Sequence, residues 1–433
     1  MRRALCPVEN IYVAQRSRAV LSCALDGPVD PVALSAAFEA VTAEQPQLRT
    51  RIVPDGDGHA LEFLPEAERP RLRIRTGGEE EAYAEELNTP LTVGGPLTRA
   101  VLVTDPDEER HTLILSVDHV IADGHSAVAL LNMVWDRYRE LIGGAGAPRP
   151  TMAGFPPPIS TLLPHADAAD TAKHLEQRVE KVRRHPVELV PYDVRATEEA
   201  PGGPHRIEIQ RLFLDTGATT RLRERARAEG LSVHALISAA VLLAARRRMD
   251  GTDPRVLGCL SPVDLRSRLS PQVPAEVMVA AVTMHLEVLS VGVGTDLLEL
   301  AREVRDGLLH FIDRGDHVLE TRIMPSVPRY PTLHLGTVIV TNMGAVSGPR
   351  LPEGTRVTDV RLAPAREQYF PQAGRSPIMA CVATFDGRLA IEFPHYTACF
   401  SPRFIRELAD EVRTSLLALA KSEKEPHTAA ATS

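Results

Sequence analysis

Long apolar runs, cysteines and lysines are all scarce in this 433-residue chain, and the first two shortages each remove a class of protein. No apolar run reaches the roughly 18 residues expected of a membrane-spanning helix, so no span is expected. Met1-Arg2-Arg3-Ala4-Leu5-Cys6 has two arginines but no apolar block behind them, unlike a secretory leader. Five cysteines (Cys6, Cys23, Cys259, Cys381 and Cys399) are odd in number and scattered, which fits reduced thiols, not a disulfide framework or zinc site. A cytoplasmic location is the expectation. Lysine occurs only at positions 173, 181, 421 and 424, so nearly all of the 49 basic residues are arginine. The formal net charge of -8 gives no support to nucleic-acid binding. At 44% hydrophobic, a chain of this length can bury a large core and divide into two domains or more.

What is present centres on Asp118-His119-Val120-Ile121-Ala122-Asp123-Gly124. The preceding run, His111 to Val117, alternates with the period of a half-buried strand. After the glycine, Ala127, Leu130, Leu131 and Val134 recur at the spacing of one helix face. A histidine is thus expected where a strand stops and before a helix opens, a place that holds an imidazole rigidly within reach of substrate. Histidine, with an ordinary pKa of about 6.5, can accept and return a proton near neutral pH. Asp123 can orient the turn, either by bonding the ring or by anchoring the loop to a cation. By spacing alone the favoured reading is a satisfied histidine and an ordinary turn.

The segment resembles the His-His-x-x-x-Asp-Gly signature of the condensation-domain and chloramphenicol-acetyltransferase superfamily of acyltransferases. Other stretches resemble the family in the same order: Gln45 to Arg51, Gly95 to Val103, Ser232 to Ile237, Pro262 to Arg266, Val340 to Gly344 and Thr384 to Leu389. Together they span about residues 5 to 420, and an ordered set is more specific than any one motif. Two departures stand out. Asp118 occupies the place of the first histidine, and the plant enzymes' Asp-Phe-Gly-Trp-Gly motif is missing. The resemblance is closest to the bacterial polyketide-associated acyltransferases.

The resemblance implies an α/β (α+β) fold of two related halves, each a mixed sheet packed with helices, with the active site in a tunnel between them. It implies His119 as general base, and a structural pair between Asp123 and an arginine of the second half, matched by Arg266 with Arg268 as substitute. Strand alternation turns Asp118 away from the face His119 occupies. His125 could line the channel or sit in water on the first helical turn. Thr341 and Asn342 could donate to an oxyanion, although a strand ending in a turn is favoured. His234 and His285 read as core histidines with backbone partners, and His395 is a weak candidate for the acceptor side. No metal spacing emerges among them.

The N-terminal half is expected over residues 1–188, broken by a Gly/Pro-rich stretch at 142–158 and closed by a charged helix at 173–184. A Pro/Gly/Glu-rich linker covers 189–205. The C-terminal half covers 206–421 and opens on the strand Arg206 to Leu214. Its helices include Thr295 to Phe311, with a threonine cap, and Ser401 to Leu419. Residues 422–433 read as a disordered tail. Basic clusters at 181–184, 221–227 and 246–248 read as solvated helix faces; the alternative is a dock for an acidic acyl carrier protein or for coenzyme A phosphates.

The expected activity is transfer of an acyl group from acyl-CoA or a phosphopantetheinyl carrier protein to a hydroxyl of a polyketide, lipid or other secondary metabolite. No permanently bound cofactor is implied. A polyketide synthase or its carrier protein is the expected partner. Two rivals remain: a free-standing condensation enzyme forming an amide, and a non-catalytic relative that binds a carrier protein or metabolite.

Overall fold

Residues 2–105, 109–144, 154–194, 206–366 and 374–421 are described by the computed structural model. Residues 145–153 of the Gly/Pro-rich stretch, 195–205 of the linker and the tail at 422–433 lie outside the described residues.

The first part of the chain runs β1 (Arg2–Ala4), α1 (Pro7–Gln15), β2 (Ser17–Asp26), α2 (Pro31–Glu44), β3 (Thr50–Asp55), β4 (Gly58–Phe63), β5 (Leu72–Thr76), α3 (Glu79–Asn88), β6 (Thr98–Asp105), β7 (Arg110–Asp118), α4 (Gly124–Ile142), α5 (Ile159–Leu162), α6 (Ala168–Arg184) and β8 (Val190–Pro191). The second runs β9 (Ile207–Leu214), α7 (Thr216–Ala228), α8 (Val233–Arg246), β10 (Arg255–Asp264), β11 (Val282–Val291), α9 (Leu297–Asp313), α10 (Asp316–Ile323), β12 (Val338–Ala345), β13 (Arg356–Arg366), β14 (Arg375–Ser376), β15 (Ile378–Phe385), β16 (Arg388–Tyr396) and α11 (Pro402–Lys421).

Two mixed sheets dominate. One has five strands in the order β13-β2-β7-β6-β5, the other six in the order β11-β10-β12-β15-β16-β9. Strand alternation sorts their side chains. On β7, Leu113, Leu115 and Val117 join the core under α2 and α4 with Phe38 and Trp135, while Ile114 faces the smaller core around Tyr83. In the second sheet, Val338, Val340, Ala380 and Val382 face the helices α8 and α11. Helix α8 is buried from Ala235 to Arg246, as befits a helix apolar on all sides.

β13 does not stay with its neighbours in sequence. It joins the first sheet, pairing antiparallel with β2 from Arg356↔Asp26 to Arg366↔Ser17. Its Arg361 lies over the Tyr83 ring at 4.2 Å and its Nε donates to Glu392 on β16 at 2.9 Å, so one buried guanidinium bridges the two sheets.

Three local expectations change. Helix α9 is capped by Asp296, whose carboxylate accepts the Glu299 amide, while the Thr295 hydroxyl accepts the Gly292 amide one turn earlier. Arg246 is not solvated: it is fully buried and donates to the carbonyls of Met249, Gly251 and Asp253 in the turn that follows α8. Arg247 and Arg248 reach Glu411 on α11. His234 and His285 find side-chain partners instead of backbone ones, Ser261 at 3.0 Å and Glu287 at 3.1 Å.

Candidate active site

The turn between β7 and α4 is locked by its own polar groups. Asp118 Oδ1 accepts the Val120 amide at 2.8 Å, and the Asp118 carbonyl accepts the Ile121 amide at 3.1 Å. This side-chain turn is one that aspartate forms readily. Asp118 borders a separate cavity with Arg16, Arg18 and His59, on the face away from the one His119 lines.

His119 Nδ1 lies 2.9 Å from the Ala122 carbonyl. A carbonyl only accepts, so Nδ1 carries the proton and Nε2 keeps its lone pair. Tyr12 of α1 stacks on the imidazole, with ring centroids 5.4 Å apart and planes at 22°. Burial pushes the imidazole pKa down to about 4; the Ala122 carbonyl opposes this, Arg366 adds to it and Asp123 opposes it. The ring is therefore a free base at neutral pH. Burial likewise raises the Tyr12 phenol to about 12.

Asp123 points away from that ring. It caps α4 by accepting the Ser126 amide at 2.8 Å, and it accepts the Ala281 amide at 3.0 Å. Arg266 meets it from the second half: Nε donates to Oδ2 at 3.1 Å, and Nη2 to Oδ1 and Oδ2 at 3.0 and 2.9 Å. The guanidinium also donates to the carbonyls of Pro274, Val277 and Val279, so both ions are buried with their hydrogen bonds made. Arg268 turns to the Asp264 carbonyl instead. A Cβ on Gly124 would lie 2.6 Å from Sδ of the flexible Met343 side chain and 3.4 Å from Leu362, so the methionine would have to move aside.

His119 opens on a cavity of about 180 Å³ between the two sheets. One wall is the first sheet, where Ala19, Leu362, Pro364 and Arg366 share the face of His119; the other carries Met284, Ile339, Thr341, Met379 and Cys381. Gly124, His125 and Asp264 line it as well. Tyr12, Asp123, His125, Asp264, Arg366 and Cys381 are thus the ionisable neighbours of His119 in the wall. Thr341 pairs with Cys381 in register and points into the cavity with Ile339. Asn342 also lines the cavity, where β12 begins to bulge, and its Oδ1 accepts the Gly344 amide at 2.8 Å.

Tyr12 and Arg366 are among the wall residues that sequence reasoning missed. A tyrosine in a short helix and an arginine at a strand end carry no spacing that ties them to His119. His395 borders a smaller cavity of about 30 Å³ that shares Ile339, Pro364, Arg366 and Met379 with the main one. Its Nδ1 is held by the Phe393 carbonyl at 3.2 Å. Among the described residues no group of three or more His, Cys, Asp or Glu is placed to hold a metal ion. Among them, too, no single helix is long and apolar enough to cross a membrane.

A family model described as "Condensation domain" matches residues 17–259, more than half of the chain. The chain belongs to the condensation-domain family. A second model, the C-terminus of phthiocerol/phthiodiolone dimycocerosyl transferase, matches residues 203–394 of this condensation-family chain. A phthiocerol/phthiodiolone dimycocerosyl transferase from Mycobacterium sp. (strain JLS) is 27% identical over 368 residues, covering 83% of this chain and 85% of its own. Polyketide synthase associated protein 5 from Mycobacterium tuberculosis shares the fold, with a TM-score of 0.73 at 21% identity over 97% of this chain and 98% of that one. So does a trichothecene 15-O-acetyltransferase from Fusarium sporotrichioides, with a TM-score of 0.72 at 13% identity over 96% and 95%. The resemblance read from the ordered motifs and the two-half α/β fold both agree with these comparisons.

Proposed function

We propose that this condensation-family protein is an O-acyltransferase. It takes an acyl group from a thioester on coenzyme A or a carrier protein and delivers it to a hydroxyl of a polyketide, lipid or related secondary metabolite. The dimycocerosyl transferases that resemble it over most of their length support that substrate class. The observation that carries the reading is His119: Nδ1–H is fixed on the Ala122 carbonyl, and the free Nε2 opens on a largely apolar channel between two sheets.

In this reading Nε2 takes the proton of the acceptor hydroxyl as its oxygen attacks the thioester carbonyl. The tetrahedral intermediate then expels the thiolate, which takes the same proton back. One imidazole serves both steps, so no covalent acyl-enzyme forms, and the channel supplies proximity. His125, Thr341 and Asn342 face the substrates from the channel wall, and Asp123, Gly124 and Arg266 hold the turn. The two functional halves are assigned to residues 1–188 and 206–421, the location to the cytoplasm and the acyl-carrying partner to a polyketide synthase or its carrier protein.

Purified protein mixed with an acyl-CoA and a long-chain alcohol should release free thiol and form ester, and His119→Ala should do neither. The family match leaves amide formation as the second reading. Faster turnover with an amine than with an alcohol of equal length would favour it, and no turnover with either would point to a binding protein.

A further inference from the structure

His395, near the end of β16, carries a buried nitrogen without a partner. The residue is 4% exposed, and its Nδ1 lies 3.2 Å from the Phe393 carbonyl. A carbonyl only accepts, so the proton sits on Nδ1 and the lone pair on Nε2. No group among the described residues hydrogen-bonds that Nε2, although it is sealed from solvent. Burial lowers the pKa of the ring, so the imidazole stays neutral and the lone pair stays open.

Buried acceptors left unpaired are rare and costly in folded proteins. The surroundings explain why the chain supplies no donor here. The imidazole borders the recess of about 30 Å³, and three other residues of its wall are prolines: Pro364 on β13, Pro377 before β15 and Pro394 on β16. Proline has no backbone N–H to give. Ile207, Ile339 and Met379 add apolar side chains, while Arg366 and Tyr396 border the recess without bonding Nε2.

The recess adjoins the cavity of His119. Ile339, Pro364 and Met379 line both, and Ile339 pairs with Met379 in the β12–β15 ladder. A substrate chain lying past His119 therefore passes its mouth. Size then selects what enters, since the space holds about two waters. A hydroxyl on the chain fits, displaces water and repeats its hydrogen bond to Nε2. A methyl group in the same place strands the nitrogen.

We propose that His395 Nε2 binds a remote hydroxyl of a substrate, a hydroxyl other than the one that reacts at His119, in this proline-lined recess. The inference rests on the acyltransferase reading above and adds a specificity residue to it. The hydroxyl belongs either to the acceptor, as a diol, or to the acyl donor, as a hydroxyacyl thioester. Its chemistry at Nε2 is the same in both.

The test uses the full-length protein and two length series. One pairs α,ω-diols with plain alcohols against a fixed acyl-CoA, and the other pairs ω-hydroxyacyl-CoAs with plain acyl-CoAs against a fixed alcohol. At one chain length the hydroxylated substrate should have a kcat/KM about tenfold above its plain counterpart, the effect of one hydrogen bond to a buried acceptor. For diols this is beyond the statistical advantage of two equal hydroxyls. The preference should fade at shorter and longer chains, because the gap from His119 to His395 is fixed. The series that shows the peak identifies the substrate bearing the hydroxyl. His395→Phe, which fills the space but accepts nothing, should erase the preference, and His395→Gln, whose amide oxygen accepts, should keep part of it. Equal handling of hydroxylated and plain substrates at every length means a buried water only and overturns the proposal. So does a preference undiminished in His395→Phe. If that variant does not fold, the parent's length series decides alone. Titration calorimetry with the same ligands reads the subsite without turnover, so absence of turnover with every plain substrate rejects the acyltransferase reading alone.

Discussion

Asp123 and Arg266, 143 positions apart in the chain, meet in an ion pair at 2.9 Å that lies almost wholly out of water. The pair joins the start of α4 to the residues that follow β10, so it ties the turn bearing His119 to the opposite sheet. Asp123→Ala and Arg266→Ala should each cost about 3–5 kcal/mol, because each strands a buried charge. The double variant should lose less than the sum, since direct partners share one interaction. Thermal and urea melts of the four proteins measure this, and strictly additive losses would disprove the coupling.

His119→Ala should abolish transfer, with a loss of about 10²–10⁴-fold or more, while leaving Tm close to the parent's. In the parent, kcat/KM should rise with pH through a midpoint near 4, the value to which burial lowers the ring, and stay flat from about pH 6. The sign follows from the base being active only when neutral. A midpoint at or above the ordinary imidazole value of about 6.5 would assign the limb to another group.

Asp118→Asn should keep most of the activity. The side chain faces away from His119, and an asparagine oxygen can still accept the Val120 amide that now closes the turn. Compared pH–rate profiles of variant and parent decide the matter. A collapse in kcat, or a shift of the acidic limb by about a full unit, would show that the two residues are electrostatically coupled.

Gly124→Ala should destabilise by about 1 kcal/mol, the low end of the overpacking range, because its Cβ would press on Met343 Sδ, which can swing aside. Met343→Ala alone opens space. Together the two changes should recover part of the lost stability. A double variant no more stable than Gly124→Ala would trace the loss to the backbone of the turn.

How much was legible depends on range. The β7–turn–α4 unit could be read because period two gives way to period 3.6 within a dozen residues, and Gly124 marks the change. The family likeness supplied Arg266 as the residue to look for opposite Asp123; spacing could not, since 143 positions and a sheet-to-sheet contact separate them. Tyr12 and Arg366 stayed hidden for the same reason. Their place in the wall is set by ladder register and by the packing of α1, which no local pattern encodes. Arg246 misled because an arginine in a basic triplet resembles a solvated one; only the turn after α8, with its three carbonyls, shows why it is buried.

The loan of β13 to the first sheet governs the order in which this molecule can be completed. β2 emerges within the first 26 residues, and the strand that covers its free edge ends at residue 366. Until then the nascent sheet presents an open row of amides and carbonyls, a ready template for another chain. Pairing over so long a separation is slow, so a polypeptide cut after residue 188 would have the histidine and its turn but a raw edge beside β2 and no second sheet to face it. Restoring the covering strand and the second sheet would require the later fragment to be supplied in trans.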